Sequence, residues 1–203
     1  HWDYAATFLK DSVDVLVDSG VKSGKIAVLP HGVDRDVFKP LDTQESKKAL
    51  GLPEDSFIVF NGNRNQPRKR IDLTIKAFAD FAVGRDNTYL YLHCNKKDLG
   101  WDVVSLFRNE LRRRGIPSEK RLIMTDVHMN YTKNTPIEKL NVIYNACDVG
   151  VNTSDGEGWG LVPFEHAACR KPQIVGDHTA CRAIWKEQGL LADVAQWVID
   201  KDL

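Results

Sequence analysis

The stretch Asp148-Val-Gly-Val-Asn-Thr-Ser-Asp-Gly-Glu-Gly-Trp-Gly-Leu-Val-Pro-Phe-Glu165 decides the fold of this chain. Residues 149–152 are typical of a strand covered on both faces, and residues 160–170 are typical of a helix. Three of the five residues 156–160 are glycines, which let the backbone approach a ligand closely. A strand that passes through such a turn into a helix is the repeating unit of a parallel α/β sheet.

The same alternation of short apolar runs with helical patterns extends along the chain. It predicts an α/β fold, a Rossmann-like parallel sheet flanked by helices. The predicted strands are residues 26–29, 57–61, 89–94, 121–125, 149–152 and 173–175, and the predicted helices are residues 69–83, 101–114, 160–170, 180–188 and one that begins at the capping sequence Thr135-Pro-Ile-Glu138. Because crossovers between parallel strands are right-handed, helices cover both faces, and ligand contacts are expected at the carboxyl ends of the strands.

Composition excludes several classes of protein. The 203 residues carry 28 lysines plus arginines against 28 aspartates plus glutamates, and the five tryptophans do not alternate with basic residues, so no nucleic acid partner is expected. No apolar run approaches the ~20 residues of a transmembrane segment, and none is expected. The four cysteines are widely spaced without a C-x-x-C pair, which favours a cytoplasmic location. The histidines form no H-E-x-x-H pair and are interpreted as ordinary ones, so no metal site is expected.

A basic loop follows the predicted strand 57–61. It carries Arg64, Arg68, Lys69 and Arg70 into the start of the next predicted helix. Cations at a helix N-terminus oppose the macrodipole by a few tenths to ~1 kcal/mol each, so the arrangement is unfavourable unless an anion binds there. The loop contains neither G-x-x-x-x-G-K-[ST] nor G-x-G-x-x-G, which argues against a nucleoside triphosphatase and a dinucleotide-binding protein. The alternative is a solvated basic loop without a ligand.

The glycine-rich turn forms a second candidate site. Free amide groups in the first turn of the helix after it would point at the crevice and suit a diphosphate opposite Arg64 and Lys69. Glu157 lies just before this helix and Glu165 inside it, so one carboxylate can accept sugar hydroxyls and the other ribose hydroxyls. The alternative is a helix start that favours acidic residues, with Glu165 exposed and Trp159 packed for structure alone.

Together these motifs resemble the C-terminal domain of glycosyltransferase family 4, over roughly residues 7–177. Glu157-Gly-Trp-Gly-Leu-Val-Pro-Phe-Glu165 is similar to the family's E-x7-E signature, and the pair Arg64 and Lys69 is similar to its arginine and lysine five residues apart. The resemblance implies that Glu157 contacts the donor sugar, Glu165 the ribose, and the two cations the diphosphate. By this resemblance Glu157, Arg64 and Lys69 are the catalytic residues, and the remaining donor-binding residues are Gly158, Trp159, Gly160, Leu161, Thr125, Asp126, Val127 and Leu140.

The family has the GT-B architecture of two facing Rossmann-like domains, which sets the expected organisation. Residues 1–40 are then the end of a preceding domain and the inter-domain segment, and residues 41–203 are the donor-binding domain, with the N-terminal acceptor domain absent from these residues. The segment Pro30-His-Gly-Val-Asp34 resembles the family's entry into this domain. One departure stands out: a typical member carries paired glycines and a glutamate where this chain has His178-Thr-Ala-Cys-Arg-Ala-Ile-Trp185.

The activity implied is that of a retaining hexosyltransferase, incomplete as this fragment. It would transfer a sugar from a nucleotide-diphosphate sugar to a glycan, lipid or protein acceptor held by the other domain. No cofactor and no metal are expected, because fixed cations would stabilise the leaving diphosphate. Location is expected to be cytoplasmic, with peripheral attachment to a membrane through the acceptor domain left open. A nucleotide-sugar epimerase of GT-B fold and a non-catalytic nucleotide-sugar-binding domain are the alternatives.

Overall fold

The computed structural model describes residues 3–125 and 135–194. The strands in this part of the chain are β1 (Ala5–Thr7), β2 (Ile26–Val28), β3 (Phe57–Asn61), β4 (Thr88–Leu92), β5 (Leu122–Met124), β6 (Val149–Asn152), β7 (Gln173–Gly176) and β8 (Leu190–Ala192). The helices are α1 (Asp11–Asp18), α2 (Thr43–Ala49), α3 (Ile71–Phe81), α4 (Val103–Arg113), α5 (Ile137–Ala146), α6 (Leu161–Ala168) and α7 (Thr179–Trp185). Six strands form one parallel sheet in the order β5-β4-β3-β6-β7-β8, which confirms the predicted α/β fold.

Alternation along the central strand β3 explains why helices cover both faces of the sheet. Val59 packs with the buried residues of α3 and α4 on one face. Ile58 and Phe60 point the opposite way, into a cluster with Ile143 and Tyr144 of α5. A third, smaller cluster joins β7 to α7. In the described residues the sheet is therefore the middle of three layers, which leaves the carboxyl ends of its strands as the place for a ligand.

The start of α3 differs from the prediction. The helix expected over residues 69–83 begins at Ile71, after a 3₁₀ turn over Pro67–Lys69. Arg70 between them has a left-handed conformation with φ 47°, which interrupts the helical hydrogen bonds. At the other end Gly84, with φ 69°, has the left-handed conformation expected of a residue that follows a helix.

The start of α5 is also corrected. The predicted cap was Thr135, but the helix begins at Ile137 and its N-cap is Pro136, with no capping side-chain hydrogen bond. Pro136 has the extended ψ of 142°, so the chain enters the helix one residue later than the pattern indicates. The ends of the other predicted elements differ from the observed ones by at most three residues, which is within the usual error for element ends inferred from sequence.

The sequence patterns did not reveal four of the short elements. β1 and α1 lie in the N-terminal segment, where β1 pairs with β2 in a separate two-stranded sheet, so the predicted strand 26–29 does not join the main sheet. α2 is mostly polar and is capped by Asp42, whose side chain accepts from the Glu45 N–H. β8 has only three residues. The domain boundary at residue 40 stays a prediction.

Candidate active site

The basic loop and the glycine-rich turn meet at the carboxyl edge of the sheet. They follow β3 and β6, which are neighbours, with Val59 opposite Val149. The loops contact each other directly: the Asp155 N–H donates to the Arg68 carbonyl at 2.8 Å, and Arg68 Nη1 donates to the Gly156 carbonyl at 3.3 Å. The convergence of the two predicted sites, far apart in sequence, follows from the strand order.

An ion pair between Lys69 and Glu157 lies at this junction. Lys69 Nζ is 2.5 Å from Glu157 Oε1, and the two side chains are only 11% and 9% exposed. Asn152 Nδ2 donates to the same carboxylate oxygen at 3.2 Å. The sequence suggested two opposing walls for these residues, whereas the structure joins them directly. Such a pair is costly to break, since removing either partner leaves a buried charge.

A chain of buried amide and hydroxyl groups continues from this ion pair. Asn63 Nδ2 donates to Asn152 Oδ1 at 3.2 Å, and Asn61 Nδ2 donates to Thr74 Oγ1 at 2.8 Å. The Thr74 and Thr153 hydroxyl groups lie 2.8 Å apart. Sequence reasoning missed this network, although β3 and β6 both end on an asparagine. A polar residue that ends a buried strand needs partners at the sheet edge, and that signal would have found it.

Two of the other cations of the basic loop, Arg64 and Arg70, are held by carboxylates of the chain. Arg64 Nε lies 2.7 Å from Asp98 Oδ2, and the Arg64 side chain is 52% exposed while that of Asp98 is 2% exposed. Arg70 pairs with Asp72 in the first turn of α3. The prediction that only a bound anion would balance these charges is therefore wrong. Arg64 nevertheless presents half of its surface to solvent at the crevice edge.

Backbone N–H groups at the start of α6 face the same edge. In residues 3–125 and 135–194, the N–H groups of residues 158–162 donate to no acceptor. Gly160, the N-cap of α6, has φ 85°, a conformation that side chains strongly disfavour. The Glu157 N–H differs, because it donates to Thr179 Oγ1 at 3.1 Å. The helix start thus offers a row of donors to an anion, beginning after Glu157.

Glu165 lies on α6 facing α5 and is half-buried. Tyr144 donates its hydroxyl to Glu165 Oε2 at 2.8 Å. Burial raises the pKa of Glu165, and the hydrogen bond from Tyr144 partly opposes that rise. Glu165 is therefore not an exposed surface carboxylate, which is what the alternative of a helix start without a ligand predicted. Its orientation is fixed before any ligand arrives.

The other predicted donor-binding residues are placed unevenly. Trp159 is 9% exposed and packs edge-on against His31 and Phe164, as expected if this side chain is packed for structure alone. The Thr125 hydroxyl lies 2.6 Å from the Tyr91 hydroxyl at the end of the β4–β5 pair. Leu161 is exposed, and Leu140 is half-buried against the cluster that contains Ile143 and Tyr144 of α5. Asp126 and Val127 lie outside the described residues.

Three general properties of the described part bear on the sequence predictions. The four cysteines are free and buried. Among residues 3–125 and 135–194, no three histidine, cysteine, aspartate or glutamate side chains are grouped so as to hold a metal ion, and metal independence stays a prediction. The helices in these ranges are all too short or too polar to cross a membrane.

Comparison with known proteins identifies relatives of the whole domain. A family model described as Glycosyl transferases group 1 matches residues 55–199. A D-inositol 3-phosphate glycosyltransferase of Acidothermus cellulolyticus is 29% identical over 86% of this chain and 38% of its own length. The enzyme of the same name from Geodermatophilus obscurus is 30% identical over 81% of this chain and 36% of its own length. The chain thus spans little more than a third of these relatives.

Solved structures share the fold. HepE of Anabaena, solved in complex with UDP, has a TM-score of 0.74 at 19% identity and covers 96% of this chain and 50% of its own. The C-terminal domain of LpcC, a glycosyl transferase group 1 family protein of Francisella tularensis, has a TM-score of 0.60 at 21% identity and covers 80% of both chains. This chain therefore belongs to the group 1 glycosyl transferases and has the fold of the C-terminal domain of GT-B glycosyltransferases.

Proposed function

We propose that this chain holds the donor during transfer of a hexose, with retention of configuration, from a nucleotide-diphosphate sugar to a hydroxyl of a glycan, lipid or protein acceptor. The observation that carries the proposal is the junction of Lys69 and Glu157, which sets a cation and a carboxylate beside the unbonded N–H groups of residues 158–162. The family supports sugar transfer in general. Retention, hexose specificity and the acceptor are inferred from the resemblance of the motifs.

The diphosphate fits between the basic loop and the start of α6. A lysine ammonium has three N–H donors, and Lys69 uses one of them for Glu157, which leaves two for phosphate oxygens. Arg64 adds a second cation whose side chain is half exposed and held by the buried carboxylate of Asp98. The macrodipole and free N–H groups of α6 favour an anion from the opposite side. Hydrogen bonds between charged groups are the stronger kind, so these contacts would dominate donor affinity.

The two glutamates suit the two hydroxyl-bearing parts of the donor. Within the described residues, Glu157 accepts hydrogen bonds through Oε1 alone, which leaves Oε2 for a sugar hydroxyl. Glu165, held by Tyr144, would accept from the ribose. Because burial raises its pKa, a charged Glu165 is poorly solvated in the empty site and gains from new hydroxyl donors. Thr125, Leu140 and the backbone after β5 would frame the base.

Chemically, the oxygen of the acceptor hydroxyl attacks the anomeric carbon as the bond from that carbon to the diphosphate oxygen breaks, and the hydroxyl proton passes to the departing diphosphate oxygen. The nucleoside diphosphate leaves with the bonding electrons, so negative charge grows on its phosphate oxygens. Arg64, Lys69 and the α6 amides would stabilise that charge in place before the reaction. Attack and departure on the same face within an ion-pair-like state explain retention without a covalent intermediate on Glu157. We propose that no metal is needed, because the chain supplies fixed cations.

Three further proposals concern the nucleotide of the donor, the cell compartment and the binding of the acceptor. HepE has been solved with UDP-glucose, so a uridine donor is the first to test here. The four buried free thiols suit a reducing compartment, and we place the chain in the cytoplasm. The acceptor would be held by a part of the protein that corresponds to the remaining length of the relatives. Any attachment to a membrane would also be made through that part.

Calorimetric titration with UDP-glucose, GDP-mannose and ADP-glucose tests the donor site. We expect one of them to bind, and Arg64→Ala to weaken it about 10-fold or more, since a charge-assisted hydrogen bond contributes about 1.5–3 kcal/mol. Glu165→Ala should weaken the same ligand through the ribose. Arg112→Ala is the matched control, because Arg112 is an exposed arginine of α4, outside both loops, and donates to Asn109 Oδ1.

A second control separates binding from stability. Arg64→Ala leaves Asp98 without its cation, so Asp98→Asn is tested alone and in combination with it. Unchanged affinity in both Arg64→Ala and Glu165→Ala would contradict the site. Product analysis with the complete protein distinguishes transfer from epimerisation of the donor and from binding alone.

A further inference from the structure

The turn between β7 and α7 contains an unusual backbone conformation. Thr179 has φ 47°, in the left-handed region. β-Branched residues rarely occupy that region, because the branched side chain crowds the backbone, and they persist there only when other contacts hold them. This turn is also where the chain departs from the paired glycines of the resembling family. A strained threonine at this position therefore requires a compensating contact.

That contact is with the backbone of Glu157. The Glu157 N–H donates to Thr179 Oγ1 at 3.1 Å, and the N–H of the next residue, Ala180, donates to the Glu157 carbonyl at 3.3 Å. The Thr179 methyl group lies over Gly156, 3.7 Å from where a Cβ would stand. The two turns are thus fastened to each other through both backbone polar groups of Glu157.

Neighbouring residues hold the turn in this shape. A Cβ on Gly176 would overlap with His178 Nε2, so the absence of a side chain at Gly176 leaves room for the imidazole over the end of β7. From there His178 Nδ1 reaches the Thr179 hydroxyl at 3.2 Å. Arg182 of α7 braces the turn through an ion pair with Asp177, with Nε 2.8 Å from Oδ1. These contacts hold the residues on both sides of the Thr179 hydroxyl, which itself lies beside Glu157.

Both the side chain and the backbone of Glu157 are consequently held in place. Lys69 and Asn152 hold its carboxylate, while Thr179 and Ala180 hold its backbone. We propose that Thr179 is a positioning residue that orients Glu157 toward the donor sugar, so that its hydroxyl governs recognition of the sugar but not of the nucleoside diphosphate. The proposal rests on the proposed function, in which Glu157 contacts the sugar.

The test compares UDP with UDP-glucose, and likewise GDP with GDP-mannose and ADP with ADP-glucose, on the 203-residue chain. Thr179→Val keeps the shape and the branching but removes the hydroxyl, and Thr179→Ser keeps the hydroxyl. We expect the valine variant to bind the nucleotide sugar at least about five-fold more weakly with unchanged affinity for the nucleoside diphosphate. The serine variant should bind both ligands as the unaltered chain does.

Amide hydrogen exchange at Glu157 provides a readout that needs no ligand. The Glu157 N–H should be protected in the unaltered chain and in Thr179→Ser, and should exchange faster in Thr179→Val. Equal weakening of diphosphate and sugar nucleotide, or equal behaviour of the serine and valine variants, would overturn the proposal. If none of the three nucleotide pairs binds the unaltered chain, the proposed function fails and this role falls with it. Selective loss confined to Thr179→Val supports both.

Discussion

Replacing Lys69 with methionine is expected to lower the free energy of unfolding by about 3–5 kcal/mol, because it leaves a buried carboxylate without its cation. The Glu157 side chain is 9% exposed, and Asn152 would be its only remaining donor among the described side chains. Urea unfolding measures the loss. The matched control is Lys76→Met, since Lys76 pairs with Asp72 at 3.8 Å but is 48% exposed, and such surface pairs contribute about 1 kcal/mol or less.

The double variant Lys69→Met/Glu157→Gln separates stability from function. With neither charge present, no uncompensated ion remains, and we expect the double variant to recover more than half of the stability lost by Lys69→Met. It should still bind nucleotide sugar poorly, because both the phosphate cation and the sugar acceptor are gone. A loss below about 1 kcal/mol in Lys69→Met would show that the pair does not behave as a buried one.

Acid is expected to destabilise the folded chain through His166. Its ring is fully buried between Phe60 and Tyr144, and Nε2 lies 3.0 Å from the Tyr144 carbonyl, to which it donates. Burial lowers the pKa of His166 to about 3. In the unfolded chain this histidine has a pKa of about 6.5, so below that pH the unfolded chain binds a proton that the folded chain does not bind. Stability is therefore complete above pH 6.5 and falls below it, by about 3 kcal/mol at pH 4.

The measurement is urea unfolding at several pH values between 7 and 4 for the unaltered chain and for His166→Gln, which keeps a hydrogen-bond donor. Other groups titrate in both proteins, so the difference between the two curves is the relevant quantity, and it should shrink steadily as the pH falls. The ring signals of His166 followed by NMR give a second measure if the glutamine variant does not fold. A ring that becomes protonated near pH 6 in the folded chain would contradict this account.

Periodicity and apolar runs were sufficient to predict five of the six strands of the main sheet, β3 to β7. β3 and β6 have the predicted bounds, since each is a short run whose residues, apart from Phe57, are buried or half-buried. Helix starts were less predictable, because they depend on single dihedral angles. Nothing in the local pattern shows that Arg70 is left-handed or that Pro136 precedes its helix. Short elements such as β8 exist through pairing with a neighbour and carry no pattern of their own.

The meeting of the two loops at the site was predictable from the strand-end rule for parallel sheets. The direct pairing of Lys69 with Glu157 was not, because sequence spacing fixes which loops meet and not which side chains touch. The carboxylate partners of the basic loop were equally hidden, since Asp98 reaches Arg64 from the loop after β4, 34 residues along the chain. The role proposed for Thr179 depends on its backbone conformation, which the sequence does not show.

The most direct test of the central claim is to measure how much of the affinity for a nucleotide comes from its diphosphate. It is made by calorimetric titration of the unaltered chain with uridine and UDP, guanosine and GDP, and adenosine and ADP at fixed ionic strength. For the base that binds, two charge-assisted contacts of about 1.5 kcal/mol each predict a diphosphate that binds about 100-fold more tightly than its nucleoside. A nucleoside that binds as tightly as its diphosphate would contradict an anion site formed by Arg64, Lys69 and the start of α6.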